Sequence, residues 1–93
     1  MREGISLMID AVQVRMARAA LKMSVEKLAR ASGVADSTIL RFETGRGAIL
    51  ATNLGRIQRV LEEAGIVFVP ADEVLGSGVR LGPTRPLGSQ SLD

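Results

Sequence analysis

The stretch VRMARAALKMSVEKLARASGVADSTILRFETGRG, residues 14–47, decides the fold of this 93-residue chain. Its apolar residues recur at helical spacing in short segments, and a glycine follows the second and the third of them. Ser24 is a favourable N-cap, and Gly33 supplies the left-handed conformation that ends the helix after it. The pattern predicts three helices, over residues 11–22, 25–31 and 36–44.

Residues on either side extend this pattern. Asp10 and Gln13 have the spacing of a capping box, which predicts the start of the first helix. Thr52 is a favourable N-cap for a fourth helix that runs to about Ala64, and Gly65 is its terminator. The apolar residues of this fourth helix recur three or four positions apart: Leu54, Ile57 and Leu61.

Beyond Gly65 the period becomes that of strands. IVFV at 66–69 is β-branched and aromatic, and VRL at 79–81 follows a turn-rich segment, so residues 66–82 are predicted to form a two-stranded hairpin. Residues 1–10 are an N-terminal extension to a helical domain over 11–65. Residues 83–93, with two prolines and small polar side chains, are predicted to be a disordered tail.

The composition excludes several kinds of site. The chain has no cysteine and no histidine, so it cannot form thiolate or imidazole zinc sites, disulfides, or the usual nucleophile pairs. We therefore expect no catalytic residue, metal or cofactor, and no enzymatic activity. The longest apolar run, residues 64–71, is too short to cross a membrane, and no signal peptide is evident, so a cytoplasmic protein is expected.

Positive charge is concentrated in the first two-thirds of the chain. Residues 11–59 carry nine basic and three acidic side chains, whereas residues 60–93 carry two basic and five acidic ones. A basic surface of this kind suits a polyanionic ligand, and ordinary solvated helix faces are the alternative explanation.

The second and third helices, joined across residues 31–33, have the pattern of a helix-turn-helix. Ala29 is small where the two helices would cross, and Gly33 lies in the turn. The apolar residues that would fill the shared core are Leu28, Val34, Ile39 and Phe42.

With its flanking helices, the stretch over residues 14–47 resembles the lambda-repressor/Cro-like (XRE) family, and the resemblance extends to about Gly65. It implies a mainly α domain of four to five helices that binds double-stranded DNA as a homodimer and regulates transcription. It also implies that Arg18 on the first helix pairs with Glu43 at the end of the third, with two unrelated surface charges as the alternative.

The resemblance makes the third helix the recognition helix. The positions implied to contact bases are Asp36, Ser37 and Arg41, whose side chains suit base edges of the major groove. Asp36 has an alternative role, because a carboxylate is also favourable at a helix N-terminus. The positions implied to contact phosphates are Ser24, Val25, Thr44, Arg46 and Asn53. Many relatives carry glutamine where this chain has Val25, which favours weaker binding or binding through main-chain amides.

The hairpin is the predicted dimerisation element, with packing of the hairpin onto the fourth helix as the alternative. Its apolar residues lie beyond the helical core and need a surface to cover them: Ile66, Phe68, Val79 and Leu81. A second interpretation of the whole chain is a protein-interaction module, such as an antitoxin or anti-activator, whose acidic and apolar C-terminal third binds a partner protein.

Overall fold

The computed structural model describes residues 8–83, which fold into four helices followed by an antiparallel hairpin. The elements are α1 (Ala11–Leu21), α2 (Val25–Ser32), α3 (Asp36–Glu43), α4 (Ala51–Glu63), β1 (Ile66–Val69) and β2 (Gly78–Leu81). This mainly α fold with a C-terminal hairpin is the one predicted from the sequence. Most of the predicted N-terminal extension, and all of the predicted tail except Pro83, lie outside the described residues. None of the described helices is long and apolar enough to span a bilayer.

Local capping explains how α1 and α2 are delimited. Asp10 and Gln13 each accept a hydrogen bond from the other's main-chain N–H at 2.9 Å, so the predicted capping box is confirmed. The hydroxyl of Ser24 accepts from the N–H of Lys27 at 3.0 Å and starts α2. Gly33, with a φ of 76°, ends α2 in the left-handed conformation that the sequence predicted.

Helices α3 and α4 begin without a side-chain cap. Helix α4 follows Leu50, so the prediction that Thr52 is its N-cap is wrong. The N–H of the buried Leu54 donates to the Leu50 carbonyl at 2.9 Å, and the first turn therefore starts before Thr52. A favourable cap contributes about 1 kcal/mol, which the burial of a whole helix face outweighs.

A single core joins the helices to the first strand. Its buried apolar residues are Ile9, Val14, Ala17, Leu28, Val34, Ile39, Leu54, Ile57, Leu61 and Ile66. Phe42, also predicted to fill the core, is partly buried against it, as are Leu21 and Ala29. Ile9 and Ile66 enter the core from outside the helices, so the segments that precede α1 and follow α4 contribute to its stability.

The hairpin packs on the chain's own helices. Ile66 pairs with Leu81 and Phe68 with Val79, so these four side chains share one face, which lies against α1 and α4. Ile66 is 2% exposed, and Phe68 and Val79 are partly buried against the core. Within the chain, α1 and α4 supply the surface that covers these three residues, so the hairpin packs on the fourth helix, the alternative named above, and also on the first. Leu81, at the end of β2, remains 66% exposed.

The buried side chain of Gln13 holds the hairpin to α1. Its Nε2 donates to the main-chain carbonyls of Val69 and Gly78 at 3.0 Å each, while its Oε1 serves the capping box. The Ser77 hydroxyl adds a hydrogen bond to Oδ2 of Asp10 at 2.7 Å. The start of α1 and the Val69–Gly78 pair, next to the hairpin turn, are thus joined by hydrogen bonds from the buried Gln13 side chain.

Candidate nucleic-acid interface

Helices α2 and α3 form the helix-turn-helix, with a tight turn between them. Gly33 and Val34 follow α2 directly, and the Ser32 hydroxyl accepts a hydrogen bond from the Val34 N–H at 3.2 Å. Leu28 of α2 and Ile39 of α3 are both fully buried and hold the inner faces of the helices in the core. The outer face of α3 is consequently left toward solvent.

The exposed face of α3 is a continuous stripe. Residues at positions i, i+1, i+4, i+5 and i+8 share one side of a helix, and all five are exposed here: Asp36, Ser37, Leu40, Arg41 and Thr44. The stripe contains the three residues that the sequence implied as base contacts. Sequence reasoning missed Leu40, although the same helical periodicity places it between Ser37 and Arg41.

The C-terminal end of α3 is fixed to α1 by an ion pair. Arg18 donates from Nε and Nη2 to the two carboxylate oxygens of Glu43 at 2.7 and 2.6 Å, so the expected pair is present. Nη1 of Arg18 donates to the carbonyl of Met23 at 2.9 Å, so the segment before α2 is also bound to this arginine. The hydrogen bond from Arg18 to Glu43 raises the pKa of the guanidinium, although desolvation opposes this. One side chain therefore holds three segments in register.

A second arginine of α1 contacts the same end of α3. Arg15 donates from Nη1 to the main-chain carbonyl of Glu43. The last carbonyls of a helix carry partial negative charge, so a cation there is stabilising. Sequence reasoning did not find this contact, because nothing local to Arg15 indicates which distant carbonyl it meets.

Arg41 lies beside the loop that follows α3. A Cβ built at Gly47 would come within 2.9 Å of Nη2 of Arg41, so glycine lets the guanidinium approach the main chain. Arg46 is exposed in this loop, and its N–H donates to the Arg41 carbonyl at 2.8 Å. The two arginines are therefore neighbours at the C-terminal end of the stripe.

The implied phosphate contacts are distributed along the interface. Ser24 and Val25 line a groove between the first turns of α2 and α3, together with Asp36, Ser37 and Leu40. The Val25 side chain packs partly against the core and also lines the groove, so its main-chain N–H at the start of α2 is the group that can meet a phosphate. Two other candidates lie apart from this groove: Thr44 ends α3 and donates to the Leu40 carbonyl at 2.8 Å, and Asn53 is half-buried in the first turn of α4.

Comparison with known families identifies the domain. The helix-turn-helix family model that covers XRE and lambda-repressor-like proteins matches residues 14–64, more than half of the chain. The chain belongs to this family of DNA-binding domains, whose role is transcription regulation and not enzymatic catalysis. Among curated proteins, none matches the chain significantly.

Proposed function

We propose that this protein regulates transcription by binding specific duplex DNA as a dimer, with α3 in the major groove. The observation that carries the proposal is the exposed polar stripe on α3, whose C-terminal end is fixed by Arg18 through Glu43. A recognition helix must be held rigidly, because base readout depends on placing side chains to within a fraction of an ångström. Binding to chromosomal DNA implies a cytoplasmic protein.

Base readout is assigned to three residues of the stripe. Arg41 donates two hydrogen bonds to O6 and N7 of a guanine, and Asp36 accepts from N4 of a cytosine. Ser37 donates or accepts according to the base it faces. Asp36 also lies in the first turn of α3, which has no side-chain cap, so its carboxylate stabilises the helix start in free protein.

Phosphate binding is assigned to helix N-termini and to the loop after α3. The main-chain N–H groups near Ser24 and Val25 begin α2, and those near Asn53 begin α4, which has no side-chain cap. Thr44 and Arg46 complete the contacts at the other end of the stripe. These contacts position α3 without reading sequence.

Replacing Arg41 by alanine is expected to weaken binding to the preferred duplex by about 1 to 3 kcal/mol and to relax the preference at one base pair per half-site. Binding to random duplex should change little. Fluorescence anisotropy with both duplexes measures the difference, and Arg59→Ala, which removes an exposed arginine of α4 outside the stripe and the hairpin, is the matched control. Equal losses on both duplexes would assign Arg41 to phosphate.

The dimer is proposed because one helix-turn-helix reads only a few base pairs. Two copies joined at fixed spacing read half-sites about 34 Å apart and gain effective concentration. The hairpin supplies the interface in this proposal, through a free strand edge and the exposed Leu81. Ile66, Phe68 and Val79 contribute by holding the hairpin on the helices.

Changing Leu81 to glutamate is expected to shift the protein to a monomer in sedimentation velocity at micromolar concentration. A full palindrome should then bind little better than a half-site. Val74→Glu is the control, because Val74 is 82% exposed at the turn of the hairpin and away from β2. If Leu81→Glu stays dimeric, the interface lies on the helices or the N-terminal segment.

A second candidate function is the binding of a partner protein at the hairpin turn. Asp72 accepts from the N–H groups of Leu75 and Val74 at 2.6 and 2.8 Å, and these hydrogen bonds lower the pKa of its carboxyl. The turn is therefore ordered, and it exposes the aliphatic side chains of Val74 and Leu75 next to the acidic side chains at positions 72 and 73. A gel shift with duplex from the region upstream of the coding sequence discriminates the two functions, because only the regulator retards it.

A further inference from the structure

Leu40 is an apolar residue on the exposed face of α3, where burial in the core does not account for it. Its side chain is 53% exposed at the centre of the stripe, between Ser37 and Arg41. The buried face of α3 is formed by Ile39 and Glu43, so Leu40 is not needed for the core. Leu40 therefore offers an exposed apolar surface between two residues proposed to face bases.

The surroundings of Leu40 form an open groove of about 600 Å³ between the first turns of α2 and α3. Its lining residues are Arg18, Ser24, Val25, Glu26, Asp36, Ser37 and Leu40. Val25 and Leu40 give it apolar walls, and Glu26 and Asp36 carry negative charge. Arg18 is already paired with Glu43.

The part of this groove around Leu40 disfavours a phosphate and favours an apolar group. A phosphate in the part of the groove near Leu40 would lie beside carboxylates and aliphatic carbon, which repel it or leave it without donors. The edges of the bases present one apolar group in the major groove, the C5 methyl of thymine. When a methyl group lies against Leu40, both the methyl group and the leucine side chain are removed from water, and this burial of apolar surface favours binding.

We propose that Leu40, with Val25 beside it, reads the methyl group of a thymine in each half-site. The inference rests on the proposed function, because it requires α3 to lie in the major groove. Leu40 then adds an apolar contact to the hydrogen bonds of Asp36, Ser37 and Arg41, and makes one A·T pair part of the recognised sequence.

The test removes the methyl group alone. After a preferred duplex has been selected from a random pool, each thymine of a half-site is replaced singly by deoxyuridine, which keeps base pairing and hydrogen-bonding groups. Loss of one buried methyl contact is expected to weaken binding of the wild-type protein about fourfold at one position. The Leu40→Ala variant should bind the thymine and deoxyuridine duplexes with nearly equal affinity.

The control variant is Val74→Ala, which removes an exposed aliphatic side chain on the hairpin and should retain the fourfold difference. The inference is overturned if the selected half-site has no thymine, if no deoxyuridine position weakens binding, or if the weakening persists in Leu40→Ala. In those cases specific binding still stands, and Leu40 is not a contact to a thymine methyl group. If no duplex is selected at all, the proposed function itself fails.

Discussion

Replacement of Glu43 by alanine is expected to lower the free energy of unfolding by about 3 kcal/mol. The carboxylate is 2% exposed and accepts two hydrogen bonds from Arg18, so its removal leaves a guanidinium without a charged partner between α1 and α3. This loss of stability lies at the lower end of the range expected when a buried ion pair is broken, because the Arg18 side chain is 21% exposed and water can reach it. Urea unfolding followed by far-UV circular dichroism measures the change.

The double variant Arg18→Met/Glu43→Leu separates the ion pair from its burial cost. Both charges are then absent, and apolar side chains fill the same space, so most of the lost stability should return. Arg18 also donates to the Met23 carbonyl, and this part of the loss should remain. A Glu43→Ala protein within about 1 kcal/mol of the wild type would contradict a buried pair that anchors α3.

The second large effect is expected at Gln13. Gln13→Leu keeps the size of a side chain that is 4% exposed but removes both donors to the hairpin and the acceptor for the Asp10 N–H. Loss of these buried hydrogen bonds should lower the free energy of unfolding by about 2 to 3 kcal/mol. The same urea measurement, with hydrogen exchange of the hairpin amides, tests whether the hairpin loosens first.

The matched control is Gln58→Leu. Gln58 donates to Glu62 one turn along the surface of α4 at 3.0 Å, and a surface pair of this kind contributes only a few tenths of a kcal/mol. Equal effects of the two substitutions would mean that Gln13 does not hold the hairpin. A larger effect at Gln13 would show that its buried hydrogen bonds to the hairpin stabilise the fold.

Truncation of the hairpin would disturb the fold as well as the proposed dimer. A chain cut after Gly65 would lose the buried Ile66 and leave the Gln13 amide without its carbonyl partners. A loss of dimer in such a chain could result either from weaker folding or from a missing interface. The substitution at Leu81 tests the dimer more cleanly, because that side chain is already exposed.

The sequence by itself determined the secondary structure and the class of the protein. Helical spacing, the Asp10 capping box and the glycines that end helices act within a few residues, so their effects can be predicted from the local sequence. Every helix and strand begins or ends within about two residues of its predicted position. The ion pair of Arg18 and Glu43 followed from the family resemblance. Leu40 was missed, although helical periodicity alone places it on the exposed stripe.

The tertiary structure alone decided which surfaces remain free. Gln13 reaches carbonyls 56 and 65 positions away, and Arg15 reaches one 28 positions away, so no local pattern indicates either contact. The same holds for Ile66, whose β-branched, apolar character predicted a strand but could not show which surface would cover it. Burial depends on how separate elements pack together, and that packing leaves Leu81 exposed while α1 and α4 cover the rest of the hairpin's inner face.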